Sequence, residues 1–470
     1  MSAGQAGAGW RNESDSLGQV QVPAGRYWGA QTQRALVHFD IGVEIMPLEI
    51  VHALARIKAA AADANVATGA LPRDLAELIS TAADEVALGA LDGEFPLKVW
   101  MSGSGTQCNM NVNEVIANRG NEIAGRLLGS YLPLHPNDHV NLSQSTNDVF
   151  PSAINLAAVL ALTGGLLPAV AGLRDALSAK ADQWADIVKL GRTHLQDAVP
   201  LTLGQEFSGY AAMLDDDIER VSAVLPGLYA LPLGGSAVGT GLGTKKGFAE
   251  AAVAATAAKT GLPFVPARNR FAVQGSHDGL VMASGALRTL AVSLRKIADD
   301  IRLLACGPRA GLAELRVPPN EPGSSFMPGK INPTQCEALA MVAVQTMGND
   351  LIVGLAGSGG QLEMNAYKPV LAHALLQSIR LLSDGCRSFA EHLVAGLEPD
   401  RAQIERHVRD SLMLVTALVP RLGYDRSAEV ALYAYRNGLS LEQAAVSLGA
   451  LTAEEYGRMV DPAAMTGPTE

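Results

Sequence analysis

The chain has 470 residues, of which 48% are hydrophobic and 5% aromatic. This length can bury a large core in two or three domains, and the Ala- and Leu-rich composition favours helices over sheets. The net charge of −11, without a sustained basic run, argues against nucleic acid as a partner. The four cysteines form no Cys-x-x-Cys pair, and their spacing suits neither a zinc site nor an iron–sulfur cluster, so reduced thiols in a cytoplasmic protein are expected.

The N-terminal region, residues 1–142, is expected to be a mixed, mostly helical domain. Its first 16 residues are rich in Gly, Ala and Ser and lack the apolar run of a signal peptide, so we expect a disordered tail. The stretch Gly18 to Val22, which ends at Pro23, predicts one of the few strands.

Long amphipathic patterns dominate the central region, residues 143–397, and predict a helical bundle. Six apolar residues at alternating spacings of three and four give the clearest stripe: Leu287, Leu290, Leu294, Ile297, Ile301 and Leu304. Comparable patterns run over residues 152–189 and 203–229, after Asn332, and over residues 370–394. After the break at Glu398-Pro399-Asp400, residues 398–470 predict a small helical domain.

The uncharged residues 153–173 are long enough to suggest a membrane span. The stretch is Ala-rich, contains Gly164-Gly165 and Pro168, and lacks flanking aromatic belts. We therefore expect a helix buried on all sides in a helical bundle, and no membrane partner.

Residues 323–333, with the sequence Gly-Ser-Ser-Phe-Met-Pro-Gly-Lys-Ile-Asn-Pro, cannot form a regular helix or strand. They predict a loop whose end opens a helix, with Asn332 at the N-cap, Pro333 at the first helical position and Gln335 completing a capping box. The long proline-rich approach from Cys306 is typical of a functional lid. Hydroxyls and a lysine beside a positive helix end favour an anionic ligand.

Three further polar islands interrupt the helical patterns. They are residues 102–111, residues 135–148 and residues 191–197. Their hydroxyl and amide side chains donate hydrogen bonds at short range, as a small carboxylate ligand requires. Each island alone is equally well a turn or a cap, but four of them favour a shared polar pocket.

Other interpretations carry less weight. His135 and His139 are four residues apart, as in a helical metal pair, but Pro136 lies between them and no third ligand is obvious. The Gly-rich residues 234–243 lack the spacing and the strand–helix context of a dinucleotide loop, so they predict a flexible connection between bundle helices. His194 is either an ordinary polar residue or a group whose neighbours tune its proton affinity.

The motif at residues 323–333 resembles the signature of the fumarase/aspartase superfamily, and the other islands match in the same order. The similarity covers nearly the whole chain. Within the superfamily, Asn320-Glu321-Pro322 before the loop and residues 333–339 after it are most similar to class II fumarate hydratase. Met101-Ser102 and Cys108 depart from the usual fumarase residues. These departures bear on fine substrate selectivity and not on the reaction class.

The resemblance implies a mainly α, three-domain fold whose long central helices form a tetrameric helical core. It implies a homotetramer with active sites shared among three subunits, no cofactor, a small dicarboxylate substrate, and reversible anti addition of water to fumarate, giving L-malate. The catalytic loop would span residues 316–332. The alternatives are aspartate ammonia-lyase on the same scaffold and, in a different class, a catalytically silent helical scaffold.

The resemblance also implies roles for individual residues. Ser324 would be the base, Lys330 would stabilise it and anchor a carboxylate, and His194, oriented by Glu337 of a neighbouring subunit, would move the proton on water. The implied substrate-binding residues are Ser104, Gly105, Thr106, Ser145, Thr146, Asn147, Thr193, Ser325, Lys330 and Asn332. A second dicarboxylate site would be lined by His135, Pro136, Asn137 and Asp138.

Overall fold

The structure of the protein, a computed structural model, describes residues 9–468. Seventeen α-helices make up most of the described chain. They are α1 (Ala30–His38), α2 (Leu48–Ala67), α3 (Arg73–Ala87), α4 (Thr106–Ile123), α5 (Thr146–Ala161), α6 (Leu167–Gln183), α7 (Leu203–Leu228), α8 (Phe248–Thr260), α9 (Arg270–Gly275), α10 (Asp278–Leu304), α11 (Thr334–Gly357), α12 (Lys368–Phe389), α13 (Arg401–Asp410), α14 (Val419–Leu422), α15 (Tyr424–Asn437), α16 (Leu441–Ser447) and α17 (Ala453–Met459).

Ten short strands form only two-stranded sheets within residues 9–468. The strands are β1 (Trp10–Asp15), β2 (Gly18–Pro23), β3 (Val188–Thr193), β4 (Gln196–Thr202), β5 (Ala230–Leu231), β6 (Val265–Pro266), β7 (Leu315–Arg316), β8 (Gly360–Gln361), β9 (Met364–Asn365) and β10 (Glu398–Pro399). The pairs are β1–β2, β3–β4, β7–β10 and β8–β9, all antiparallel, and the parallel pair β5–β6. The predicted mainly α class is confirmed.

The chain divides into two compact units. The first comprises Met1–Leu167, Glu219–Thr289 and Val344–Leu382, and the second comprises Pro168–Ile218, Leu290–Ala343 and Ser383–Glu470. Both units are assembled from separated stretches of chain. The division of the sequence into regions 1–142, 143–397 and 398–470 concerns successive segments and stays a prediction.

Helix α2 is the centre of the first unit and packs against α3, α5 and α8. Its Ile50, Leu54 and Ile57 are fully buried, and its alanines let the neighbouring helices approach closely. In the second unit, β3 packs against α13, and the C-terminal helices enclose a small core of their own. That core includes Leu414, Leu418, Val430, Ala434 and Leu441.

The predicted apolar stripe of α10 is confirmed, because all six of its residues are at most 5% exposed. Strand β2 is also confirmed. The predicted disordered tail is wrong for residues 10–15, which form β1 and pair with β2; residues 1–8 lie outside the described residues. The predicted helix over 152–189 ends too late, since α6 stops at Gln183 and Lys189 lies in β3.

Two helical stretches are long and apolar enough to cross a membrane by composition alone. Thr146–Gln183 has 50% of its most apolar window buried, and Thr334–Gly357 has 33%. A core helix passes the same test, so this composition is a weak indication of a membrane span. The predicted all-round burial of residues 153–173 holds for most of residues 153–159, but Gly164, Pro168 and Gly172 are exposed in the single chain.

Candidate functional site

The first polar island places three hydroxyls at the start of α4. Ser104 Oγ lies 3.0 Å from Ser102 Oγ and 2.8 Å from Thr106 Oγ1, and Thr106 is the first residue of the helix. Gly105, with φ of 84°, lies against the ring of Phe150, where a Cβ would clash. The free N–H groups of the first turn and these hydroxyls are suited to binding an anion.

Gly103 fixes the position of this island. A Cβ at Gly103 would lie 1.5 Å from the carbonyl oxygen of Ala366, and the Lys368 N–H donates to the Gly103 carbonyl at 3.0 Å. The segment after β9 therefore holds the loop from behind, and only glycine permits so close an approach.

The first and second islands are joined through Asn141. Its side-chain Oδ1 accepts hydrogen bonds from Lys58 Nζ at 2.9 Å, Asn113 Nδ2 at 3.1 Å and Asn109 Nδ2 at 3.2 Å. Asn109 Nδ2 also donates to Thr146 Oγ1 at 3.1 Å. Burial lowers the pKa of Lys58 to about 7. Sequence reasoning missed Lys58, a single lysine in an Ala-rich helix.

Ser145 and Asp148 form a capping box at the start of α5. The other Asp148 oxygen accepts the N–H groups of Gly234 and Ser236, both at 2.9 Å, and Asn147 Nδ2 donates to the Ala237 carbonyl at 2.9 Å. Burial raises the pKa of Asp148 to about 6, against the opposing effect of these N–H donors. The Gly-rich loop is a connection, as predicted, but it follows strand β5 rather than a helix.

His135 caps a single π-helical turn, Pro136–Val140. Its Nδ1 accepts the N–H groups of Asp138 at 3.2 Å and Asn137 at 3.3 Å, and the His135 N–H donates to His139 Nδ1 at 2.9 Å. Both imidazoles are therefore used to hold backbone. A cleft of about 410 Å³ adjoins this turn, lined in part by His135, Asn137 and Tyr131.

The third island is the tip of the β3–β4 hairpin, which the helical reading of the sequence did not predict. His194 and Leu195 form its two-residue turn, with φ of 57° and 59°, and both are exposed. This left-handed conformation matches the twist of a hairpin but is uncommon for residues other than Gly, Asn and Asp. Strained turns of this kind cluster at functional sites. Thr193 lies beside the turn and is also exposed.

A buried carboxylate lies beneath the hairpin. Glu314 is fully buried, and its side chain lies 2.7 Å from Arg192 Nη2, 2.9 Å from His407 Nδ1 and 3.3 Å from Lys189 Nζ. Burial would raise the pKa of Glu314, but its pKa is held below the usual value by Arg192 and Lys189. Sequence reasoning missed Glu314 and His407: the need of Lys189 and Arg192 for a counter-charge hinted at a carboxylate, but no sequence signal indicated His407.

The fourth island folds into a closed loop. Ser324 Oγ accepts the N–H groups of Met327 at 2.8 Å and Phe326 at 3.1 Å. The Gly323 N–H donates to the Lys330 carbonyl at 3.0 Å, which closes the base of the loop. Ser324 is half-buried. Three further predicted residues are exposed: Ser325, Lys330 and Glu337.

The predicted cap of the following helix is wrong. Helix α11 begins at Thr334. The Asn332 side chain does not cap this helix, and its Nδ2 donates to the Gly323 carbonyl. Gln335 Oε1 accepts from Ser388 Oγ at 2.9 Å, so it completes no capping box. The Asn332 side chain is oriented toward the Gly323 carbonyl, nine residues back, to which its Nδ2 donates, and it thereby closes the loop.

The structure thus joins the first and second islands within the first unit. The third and fourth islands belong to the second unit, and a pocket common to all four stays a prediction. Five of the predicted site residues have side chains that form hydrogen bonds with backbone groups: His135, Ser145, Asn147, Ser324 and Asn332.

Comparison with known proteins gives matches over nearly the whole chain. The family described as Lyase matches residues 18–348, and the family described as Fumarase C C-terminus matches residues 414–467. The class II fumarate hydratase of Neisseria meningitidis is 56% identical, over 97% of this chain and 99% of that protein. That of Pseudomonas syringae is 57% identical, over 96% and 97%. The crystal structure of recombinant class II fumarase from Schistosoma mansoni is similar with a TM-score of 0.95 and 43% identity, covering 98% of this chain and all of that chain.

Proposed function

We propose, because the chain belongs to the class II fumarate hydratase family, that it catalyses the reversible hydration of fumarate to L-malate. The structural observation that supports this activity most directly is the environment of Ser324. Its Oγ already accepts two backbone N–H groups, at 2.8 Å and 3.1 Å, in an otherwise closed loop. Those donors suit a hydroxyl that must carry negative charge.

Removing the C3 proton of malate is difficult because negative charge builds up beside an existing carboxylate. In our proposal, the Ser324 alkoxide takes this proton and its electron pair passes into the carboxylate. The N–H groups of Phe326 and Met327 stabilise the alkoxide before the step. His194 then donates a proton to the C2 hydroxyl, which leaves as water, and the double bond of fumarate forms. Hydration is the reverse.

The carboxylates of the substrate need positioned donors. We assign Lys330 and Asn332 to one carboxylate, since the Asn332 amide has a second N–H beyond the one bound to Gly323. We assign the hydroxyls at the start of α4, those of Ser104 and Thr106, to the other, together with Asn147 and Thr193. These side chains supply every donor and proton that the scheme needs, so we assign no cofactor.

Exposed apolar residues on α11 support self-association. Met341, Val344, Leu351 and Leu355 follow spacings of three, seven and four and are between 55% and 67% exposed. This is the pattern of a helix that packs against other helices. We propose a homotetramer whose active sites combine residues of three subunits, with Glu337 of one subunit orienting His194 of another.

His135 to Asp138 would line a second dicarboxylate site. The enzyme would be cytoplasmic.

The test of this function is the substrate. Purified protein is incubated with L-malate and, separately, with L-aspartate, and formation of the fumarate double bond is followed by ultraviolet absorbance. We expect fumarate from L-malate and none from L-aspartate. Fumarate from L-aspartate alone would identify an ammonia-lyase, and fumarate from neither would indicate a silent scaffold.

A further inference from the structure

Three charged residues, Lys189, Arg192 and Glu314, lie buried or nearly buried beneath the His194 hairpin. A two-stranded sheet does not need buried charges in order to fold. Lys189 and Glu314 are at most 1% exposed, and Arg192 is 13% exposed at its side chain. Isolated buried charges are costly, and ionic clusters of this kind stabilise a fold only weakly compared with apolar packing. Fold stability alone therefore explains this cluster poorly.

The geometry connects the cluster to the turn. Strand β3 contains a β-bulge between Leu190 and Arg192, where a Cβ on Gly191 would lie 2.9 Å from the Val199 carbonyl. Bulges re-aim the side chains that follow them. Here the bulged strand directs both Lys189 and Arg192 to the same Glu314 carboxylate, and Arg192 is two residues from His194.

Glu314 is itself fixed from two sides. Its N–H donates to the Leu304 carbonyl at 2.9 Å, and its carbonyl accepts the Asp400 N–H at 2.8 Å. His407 of α13 lies 2.9 Å from the carboxylate, and its other ring nitrogen is 2.6 Å from Gln403 Nε2. The carboxylate is thus a rigid anchor rather than a mobile side chain.

The other charges facing this cluster are few. Glu206 of α7 lies 3.0 Å from Lys189 Nζ, and Asp197 of β4 lies 4.0 Å from Arg192 Nε. Glu206 contacts Lys189, which is five residues before His194 in sequence. Among the described ion pairs, Glu206 has no contact with Arg192. Glu314 is accordingly the carboxylate that holds both cations of β3.

We propose that Glu314 is a positioning residue for the reaction: through Arg192 and Lys189 it fixes the direction in which the strained Thr193–His194 turn presents its side chains to the substrate. This inference rests on the proposed function of His194 in proton transfer. It concerns a residue 120 positions from His194 in sequence whose described ion pairs are with Lys189, Arg192 and His407.

The experiment compares Glu314→Gln, which keeps the shape but removes the charge, with the matched control Glu206→Gln. For both variants, kcat and KM for L-malate are measured across pH together with the melting temperature. We expect Glu314→Gln to lower kcat about 10- to 100-fold with KM little changed, because a misplacement of the order of 1 Å costs rate rather than ground-state binding. The pH–rate profile should change shape, and Glu314→Asp should restore part of kcat.

Glu206→Gln should keep kcat and the pH–rate profile of the wild type even if its melting temperature falls. Equal kinetic losses in the two variants would overturn the proposal, as would a Glu314→Gln enzyme with wild-type kinetics and only a lower melting temperature. If Glu314→Gln does not fold, Arg192→Lys tests the same link, since it keeps the charge but loses the planar guanidinium; wild-type kinetics in that variant would equally overturn the proposal.

Failure of the proposed function is distinguishable from failure of this inference. A wild-type enzyme that does not convert L-malate contradicts the function, whatever Glu314 does. The position of the hairpin is then measured directly in crystal structures of the wild type and Glu314→Gln. An unmoved His194 in that comparison would overturn the positioning role independently of any activity.

Discussion

Ser324 Oγ accepts two backbone N–H groups and donates to no described partner, an arrangement that suits its proposed role as the base. We predict that Ser324→Ala lowers kcat for L-malate by at least about 10²-fold, the usual contribution of a positioned base. The neighbouring Ser325→Ala is the matched control and should lose far less. The melting temperature should hardly change, since the freed N–H groups are exposed to water. Wild-type turnover in Ser324→Ala would refute its role as the base.

At this scale the sequence could indicate residues whose chemistry is concentrated in short motifs. Ser324, His194 and Lys330 were candidates because hydroxyl, imidazole and ammonium groups lie in polar motifs between helical patterns, and the family resemblance gave them roles that stay predictions. Glu314 and Lys58 were missed because the contacts that define the role of a buried charge are with residues distant in sequence. Lys58 donates a hydrogen bond to Asn141, 83 positions away, and no residue near Lys58 in the sequence indicates that contact.

Among the elements, helices were easier to predict than their ends. The stripe of α10 could be read from its periodicity because one face must be buried. The β3–β4 hairpin could not, since its polar tip lacks the Asn-Gly or Asp-Gly signal of such turns and instead forces His194 and Leu195 into left-handed conformations. The capping role expected of Asn332 was wrong because its side chain is oriented toward a backbone carbonyl within the loop, which no local pattern indicates.

The close approach of Gly103 to Ala366 gives a prediction for the first island. Gly103→Ala places a methyl group where the Ala366 carbonyl lies, and we expect a loss of about 1–3 kcal/mol in stability, as for other overpacked sites. Activity should fall as well, since the hydroxyls at the start of α4 would move. Unfolding midpoints in denaturant measure the first effect and malate turnover the second.

The control for this substitution is Gly172→Ala on α6, where no atom lies within 4 Å of the added methyl. That change should be neutral or stabilise by up to about 1 kcal/mol, because alanine has the higher helix propensity. An undiminished stability of Gly103→Ala would show that the loop does not depend on this contact.

For the whole molecule, the exposed apolar residues of α11 give a prediction about self-association. The exposed stripe of α11 predicts that the wild type elutes with a mass four times that of the 49.0 kDa chain in light scattering coupled to size-exclusion chromatography. Leu351→Arg introduces a charge into this stripe, and we expect smaller species that have lost activity, because the proposed sites combine residues of several subunits.

Leu432→Arg is the corresponding control, since Leu432 is 52% exposed on α15 and outside the stripe. It should leave both the mass and the activity unchanged. A Leu351→Arg protein that keeps the mass and turnover of the wild type would mean that α11 is not the association surface.

Addition of water to fumarate with one stereochemistry is measured by proton magnetic resonance of fumarate incubated with the enzyme in D₂O. We expect malate with a single deuterium at C3 and one H2–H3 coupling, because the proposed base, Ser324, delivers the deuteron to one face of the double bond. Absence of malate, or equal amounts of both C3 diastereomers, would contradict this expectation.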